Sequence, residues 1–170
     1  MSLQSYREFL NQADRHFEDV QRRFQAQFNC RSGCHDCCQP GLTVSSIERD
    51  NIRDFLLSRP ALLTQLRHSV PDRSRCEFLS SDGECQIYPV RPFVCRSHGA
   101  PIAIAEDGYY RIDVCELNFQ SQEIETLPPE DFFILDEWNA CLTSYGSPAR
   151  YPLTPSGIVD GEPFRDIPQE

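Results

Sequence analysis

Cys30-Arg31-Ser32-Gly33-Cys34-His35-Asp36-Cys37-Cys38 puts four thiols into nine residues, spaced C-x3-C-x2-C-C, and no other stretch restricts the fold so strongly. A thiolate is a soft anionic donor, and short glycine-containing intervals let the chain wrap until several sulfurs converge on zinc or on the irons of a cluster. Cys37 and Cys38 add a constraint, because adjacent side chains diverge by about 100° on a helix and point to opposite faces of a strand. On one continuous helix Cys30 and Cys38 would lie roughly 12 Å apart along the axis, too far for one ion. The run must therefore bend or feed two sites.

Five more cysteines follow, Cys76, Cys85, Cys95, Cys115 and Cys141, making nine in 170 residues. The first residues lack the continuous apolar stretch of a secretory signal, and nowhere do 18 consecutive apolar residues occur. The expectation is a soluble, cytoplasmic protein, and in a reducing cytosol clustered cysteines read as metal ligands before they read as disulfides. Sixteen basic against 26 acidic residues leave a net charge of -10, which argues against broad binding to nucleic acid or to an anionic membrane. Every basic residue is Arg, so a lysine Schiff base or a Walker-type phosphate lysine is excluded.

From Leu3 to Phe28 apolar residues recur in steps of three and four, which predicts an amphipathic helix ending near Asn29-Cys30. Ser45-Ser46-Ile47-Glu48 is a capping-box signal for a second helix to about Ser58, and Pro60 starts a third reaching about His68. The segments Cys76 to Leu79 and Glu84 to Tyr88 flank Ser81-Asp82-Gly83 as a short hairpin, and a second hairpin folds about Glu106-Asp107-Gly108. Glu130 to Leu142 reads as helical with an acidic first turn, and the proline-rich end from Ser147 reads as an extended tail. The expected fold is α+β in a small single domain: an amphipathic helix over 1–28, a cysteine-cluster domain over 29–146 with two short hairpins, and a tail over 147–170.

Cys76, Cys85, Cys95 and Cys115 each fall at or beside a predicted strand end or turn. Eight thiols could serve two tetrahedral sites, or one cluster with the rest held reduced around it. Cys141, beside Trp138, reads as a buried apolar cysteine. Arg31, Arg75, Arg91 and Arg96 neighbour the thiols. Four thiolates around Zn(II) or an oxidised 4Fe-4S core leave about two net negative charges, which Arg91 and Arg96 above all could offset. His35 and His98 are weaker ligand candidates, while His16 and His68 read as solvated. No acidic pair is spaced as a general acid and base.

These residues resemble the bacterial YkgJ-like cysteine-cluster family, described as a zinc- or iron-chelating domain. The likeness rests on Cys30 to Cys38 with Leu42-Thr43 and Glu48, and on Cys76-x-Phe78-Leu79, Asp82-Gly83-x-Cys85-x-Ile87-Tyr88, Arg91-Pro92 and Cys95-Arg96. It covers roughly residues 28 to 118. The family's eight recurrent cysteines fall on Cys30, Cys34, Cys37, Cys38, Cys76, Cys85, Cys95 and Cys115, and its first interval is one residue longer here. The resemblance implies metal chelation. A similar domain occurs in flagellin lysine N-methylases, which brings in an S-adenosylmethionine-dependent methyltransferase as a further alternative. Cys30-x3-Cys34-x2-Cys37 also has the spacing of radical S-adenosylmethionine enzymes, and Val159-Asp160-Gly161-Glu162-Pro163 faintly suggests their cofactor motif, but the repeated strand-helix units of that fold are missing. The leading expectation is an iron-sulfur or iron-chelating protein, 4Fe-4S favoured, for redox, sensing or cofactor activation. A structural zinc module for protein contacts is the alternative.

Overall fold

The structure, a computed structural model, describes residues 2–30, 33–70, 72 and 74–161. The chain is α+β. It divides into two compact units, Met1–Cys37 with Phe93–Tyr145, and Cys38–Pro92 with Gly146–Glu170.

In the first unit α1 spans Leu3–Arg23, started by Ser2, whose hydroxyl accepts from the Ser5 N–H at 3.2 Å. The three-four periodicity resolves into a buried stripe of Tyr6, Phe9, Leu10, Ala13 and Val20. The expected continuation to Phe28 is tightened into a 3-10 turn at Gln25–Gln27. Helix α4, Phe93–Ser97, packs against α1. Phe93 stacks on Trp138 with ring centroids 5.5 Å apart, and Phe9 lies 5.4 Å from the same indole. Such aromatic contacts supply much of this unit's apolar burial.

The second predicted hairpin is present as β2, Ile102–Glu106, and β3, Tyr109–Asp113. Both turn residues have positive φ, Asp107 at 45° and Gly108 at 90°, as a two-residue hairpin twisting with its strands requires. The third strand of this sheet corrects an expectation. Glu130 to Leu142 is not one helix: a 3-10 turn at Pro129–Asp131 leads into β4, Phe133–Ile134, which pairs parallel with β2, and α5 begins only at Leu135, ending at Thr143. The cause is burial. Phe133 is fully enclosed and its N–H donates to the Pro101 carbonyl at 2.9 Å, while Asp131, also enclosed, pairs with Arg23.

In the second unit β1, Thr43–Ser45, runs directly into α2, Ser46–Leu57, and Glu48 closes the capping box by accepting from the Ser45 N–H at 2.8 Å. Helix α3 spans Pro60–His68 as its proline predicts. The end of the chain is more structured than an extended tail. β5, Arg150–Pro152, pairs antiparallel with β1, and α6, Pro155–Val159, packs on α2 and α3. Residues 162–170 lie outside the described residues. The first predicted hairpin is minimal: Ser80 N–H donates to Glu84 O and Gln86 N–H to Phe78 O, both at 2.9 Å, around one Leu79–Cys85 bridge. Phe78 and Ile87 are buried on either side of it.

Candidate metal centre

In the first unit the Cys30-Cys37 run follows the end of α1, and Cys115 follows β3. None of the described residues of the run is helical, and Gly33 turns it with φ +87°. Cys30, Cys34, Cys37 and Cys115 are all half-buried. Burial pushes the Cys30 thiol above its ordinary value, a hydrogen bond from Asn118 opposes this, and charge on Cys115, Cys34 and Cys37 adds to the rise. The charges that bear on Cys30 thus come from segments nearly eighty residues apart. Thiols that oppose one another's ionisation are relieved by a cation, whose ligands are thiolates.

The surroundings of Cys30 are closely fitted. Asn118, 2 % exposed, donates from Nδ2 to Cys30 Sγ at 3.2 Å and to the Gly99 carbonyl at 2.7 Å. Its Oδ1 accepts the Asn29 N–H at 2.8 Å. Gly99 has φ +96°, and a Cβ there would stand 2.7 Å from Cys30 Sγ. The sulfur therefore fills the space that a side chain at 99 would need. Beside Cys34 opens a cleft of about 420 Å³ lined by Asn29, Gly33, His35, Asp36, Leu117 and Gln120.

The second unit holds Cys38, Cys76 and Cys85, so the boundary between the units falls within the Cys37-Cys38 pair. Cys76 N–H donates to the Cys38 carbonyl at 2.8 Å, and Cys85 sits in the bridge with Leu79. Cys95 belongs to the first unit, on α4. Among the described residues no group of three or more His, Cys, Asp or Glu side chains is placed so as to hold a metal ion. The chemistry of the thiols and the space kept for Cys30 Sγ nevertheless fit a soft cation.

Arg96 is buried and its guanidinium pairs with Asp14 of α1, while Arg91 lies over the Tyr88 ring at 4.1 Å. Arg75 pairs with Asp72 at 3.1 Å, and Arg31 lies outside the described residues, as do Glu162 and Pro163 of the faint glycine motif. His35 is exposed at the cleft and His98 is exposed, with its Nδ1 donating to the Val94 carbonyl at 2.6 Å. Two expectations are corrected. Cys141 is exposed, because Trp138 and Leu142 take the inward stripe of α5. His16 is half-buried against Phe133, ring centroids 4.3 Å apart, instead of solvated. Sequence reasoning missed Asn118 and Gly99; an asparagine three residues after a cysteine and a glycine four after another were the available signals.

Among the described residues no helix is long and apolar enough to cross a membrane. Residues 29–128 match the family CxxCxxCC, described as "Putative zinc- or iron-chelating domain". No curated protein and no solved structure matches the chain.

Proposed function

Since the chain belongs to the CxxCxxCC family of zinc- or iron-chelating domains, we propose that it binds iron, as an iron-sulfur cluster, through a thiolate set formed by Cys30, Cys34, Cys37 and Cys115. The observation that carries this reading is the seating of Cys30 Sγ, for which Gly99 leaves room and to which Asn118 donates, in the unit that also contains Cys34, Cys37 and Cys115. Cys38, Cys76, Cys85 and Cys95 complete the complement of thiols. The surplus of sulfur over what one structural zinc needs favours iron. A bound cluster would supply one-electron chemistry or an open iron for a small ligand such as S-adenosylmethionine. The protein's part is to hold the thiolates, fix their direction and control water at the Cys34 cleft. Arg96 contributes by anchoring α4, the helix that carries Cys95, to Asp14 of α1. Cytoplasmic placement follows from the need to keep these thiols reduced.

Anaerobic purification of the full chain, visible absorption, and iron, sulfide and zinc analysis test the proposal. A brown protein with matched iron and sulfide supports it. A colourless protein with stoichiometric zinc rejects the cluster in favour of a structural zinc module, and a protein with neither metal rejects chelation by these thiols altogether. Equilibrium dialysis of the cluster-loaded protein decides whether S-adenosylmethionine binds.

A further inference from the structure

Asn118 is enclosed, and both of its side-chain donors and its side-chain oxygen are engaged. The two Nδ2 hydrogens go to Cys30 Sγ at 3.2 Å and Gly99 O at 2.7 Å, and Oδ1 takes the Asn29 N–H at 2.8 Å. Exchanging the amide oxygen and nitrogen would set an oxygen against a carbonyl and a sulfur, and an NH2 against an N–H, so the surroundings fix which end faces the sulfur. The backbone of the same residue is tied to the other side of the thiol group, its N–H donating to the Cys115 carbonyl at 2.8 Å. The next residue, Phe119, has φ +53° and donates its N–H to Gln27 O at 2.9 Å. A bulky side chain in the left-handed region is held there only when its surroundings demand it. One asparagine therefore joins the segment before Cys30, the turn at Gly99 and the turn after Cys115, and directs an N–H at a sulfur.

From this geometry we infer that Asn118 is the positioning residue of the metal centre, fixing Cys30 Sγ toward the ion and drawing electron density from it through an N–H···S hydrogen bond. The inference rests on the proposed thiolate centre. A neutral donor aimed at a ligand sulfur stabilises its negative charge without adding a competing ion pair, and such contacts tune both metal affinity and the electronic energy of the metal-sulfur bond. Asn118→Asp removes the donor and sets a negative charge in its place. The acceptor for Asn29 is retained, and both N–H groups are replaced by a carboxylate beside the sulfur.

The test titrates the full chain with Co(II), whose sulfur-to-metal charge-transfer absorption reports ligand energy directly. In the wild-type protein thiolate bands appear. In Asn118→Asp they move to lower energy and Co(II) affinity falls at least about tenfold, the effect expected when a hydrogen bond to a charged group is lost. In a Cys30→Ser background the same change produces no further band shift. Wild-type band energy and affinity in a folded Asn118→Asp protein would overturn the inference and leave the metal centre standing. Should the variant fail to fold, the wild-type protein loaded with 113Cd(II) decides: scalar coupling between the cadmium nucleus and the Asn118 amide protons supports the inference, and its absence overturns it. A wild-type protein that takes up neither probe through sulfur removes the metal-centre reading and this inference with it, a failure recognisable because it needs no variant.

Discussion

At the scale of single residues, Gly99 and Cys141 define opposite extremes. Gly99 combines φ +96° with a Cβ position 2.7 Å from Cys30 Sγ, so Gly99→Ala meets backbone strain and displaces the sulfur together. The expected outcome is a loss of about 1–3 kcal/mol in urea unfolding and reduced metal content by elemental analysis. Cys141 stands on the outer face of α5, and Cys141→Ser is expected to leave stability within about 0.5 kcal/mol and metal stoichiometry unchanged, whereas Cys30→Ser lowers the latter. The cysteine run itself was legible, since thiol density is a chemical signal that survives without structure. The exposure of Cys141 was not. Its neighbour Trp138 suggested a buried face, and only the i,i+4 pairing of Trp138 with Leu142 decides which side of α5 turns inward.

At the scale of elements, local signals read well wherever the cause is local. Ser45 and Glu48 announce the start of α2, Pro60 that of α3, and Asp107-Gly108 the β2-β3 turn, each through contacts among residues a few positions apart. Ser45→Ala is expected to cost about 1 kcal/mol, measured by thermal or urea unfolding, because the hydroxyl half of the capping box is lost. β4 was illegible for the opposite reason. Two residues form a strand only because β2 is there to receive them, and the acidic, helix-like stretch around them gave no hint of it. His16 on α1 is a related case. Burial against Phe133 and the charge of Arg23 hold its folded-state pKa below the ordinary value, with Asp131 and Asp19 opposing. The folded state thus binds this proton less readily than the unfolded chain. The stability contributed by neutral His16 is present above the unfolded-state value near 6.5 and is lost as pH falls below it. Urea unfolding at pH 7.5 and 5.5 is expected to show a smaller difference for His16→Gln than for the wild-type protein.

The whole molecule is interleaved. Each unit draws on two stretches of chain that are distant in sequence, and the division passes between Cys37 and Cys38, where the sequence required the thiol run to bend or to supply two sites. β1 pairs with β5 from Thr43↔Pro152 to Ser45↔Arg150, a connection no local pattern predicts, which is why the proline-rich end looked extended. The proposed thiolate set draws on separated segments of the first unit, so metal is expected to complete the folding there. Loading should raise the melting temperature and a chelator should lower it. A melting temperature indifferent to metal would contradict that coupling. The interleaving also sets a timetable for biosynthesis. At about 5–20 residues per second, a ribosome needs on the order of 4–16 s to travel from Cys37 to Cys115. Through that interval the emerging polypeptide presents Cys30, Cys34 and Cys37 before Cys115, the distant member of the proposed thiolate set, exists, so on that proposal three thiols stand for seconds with no metal site to shield them from oxidation.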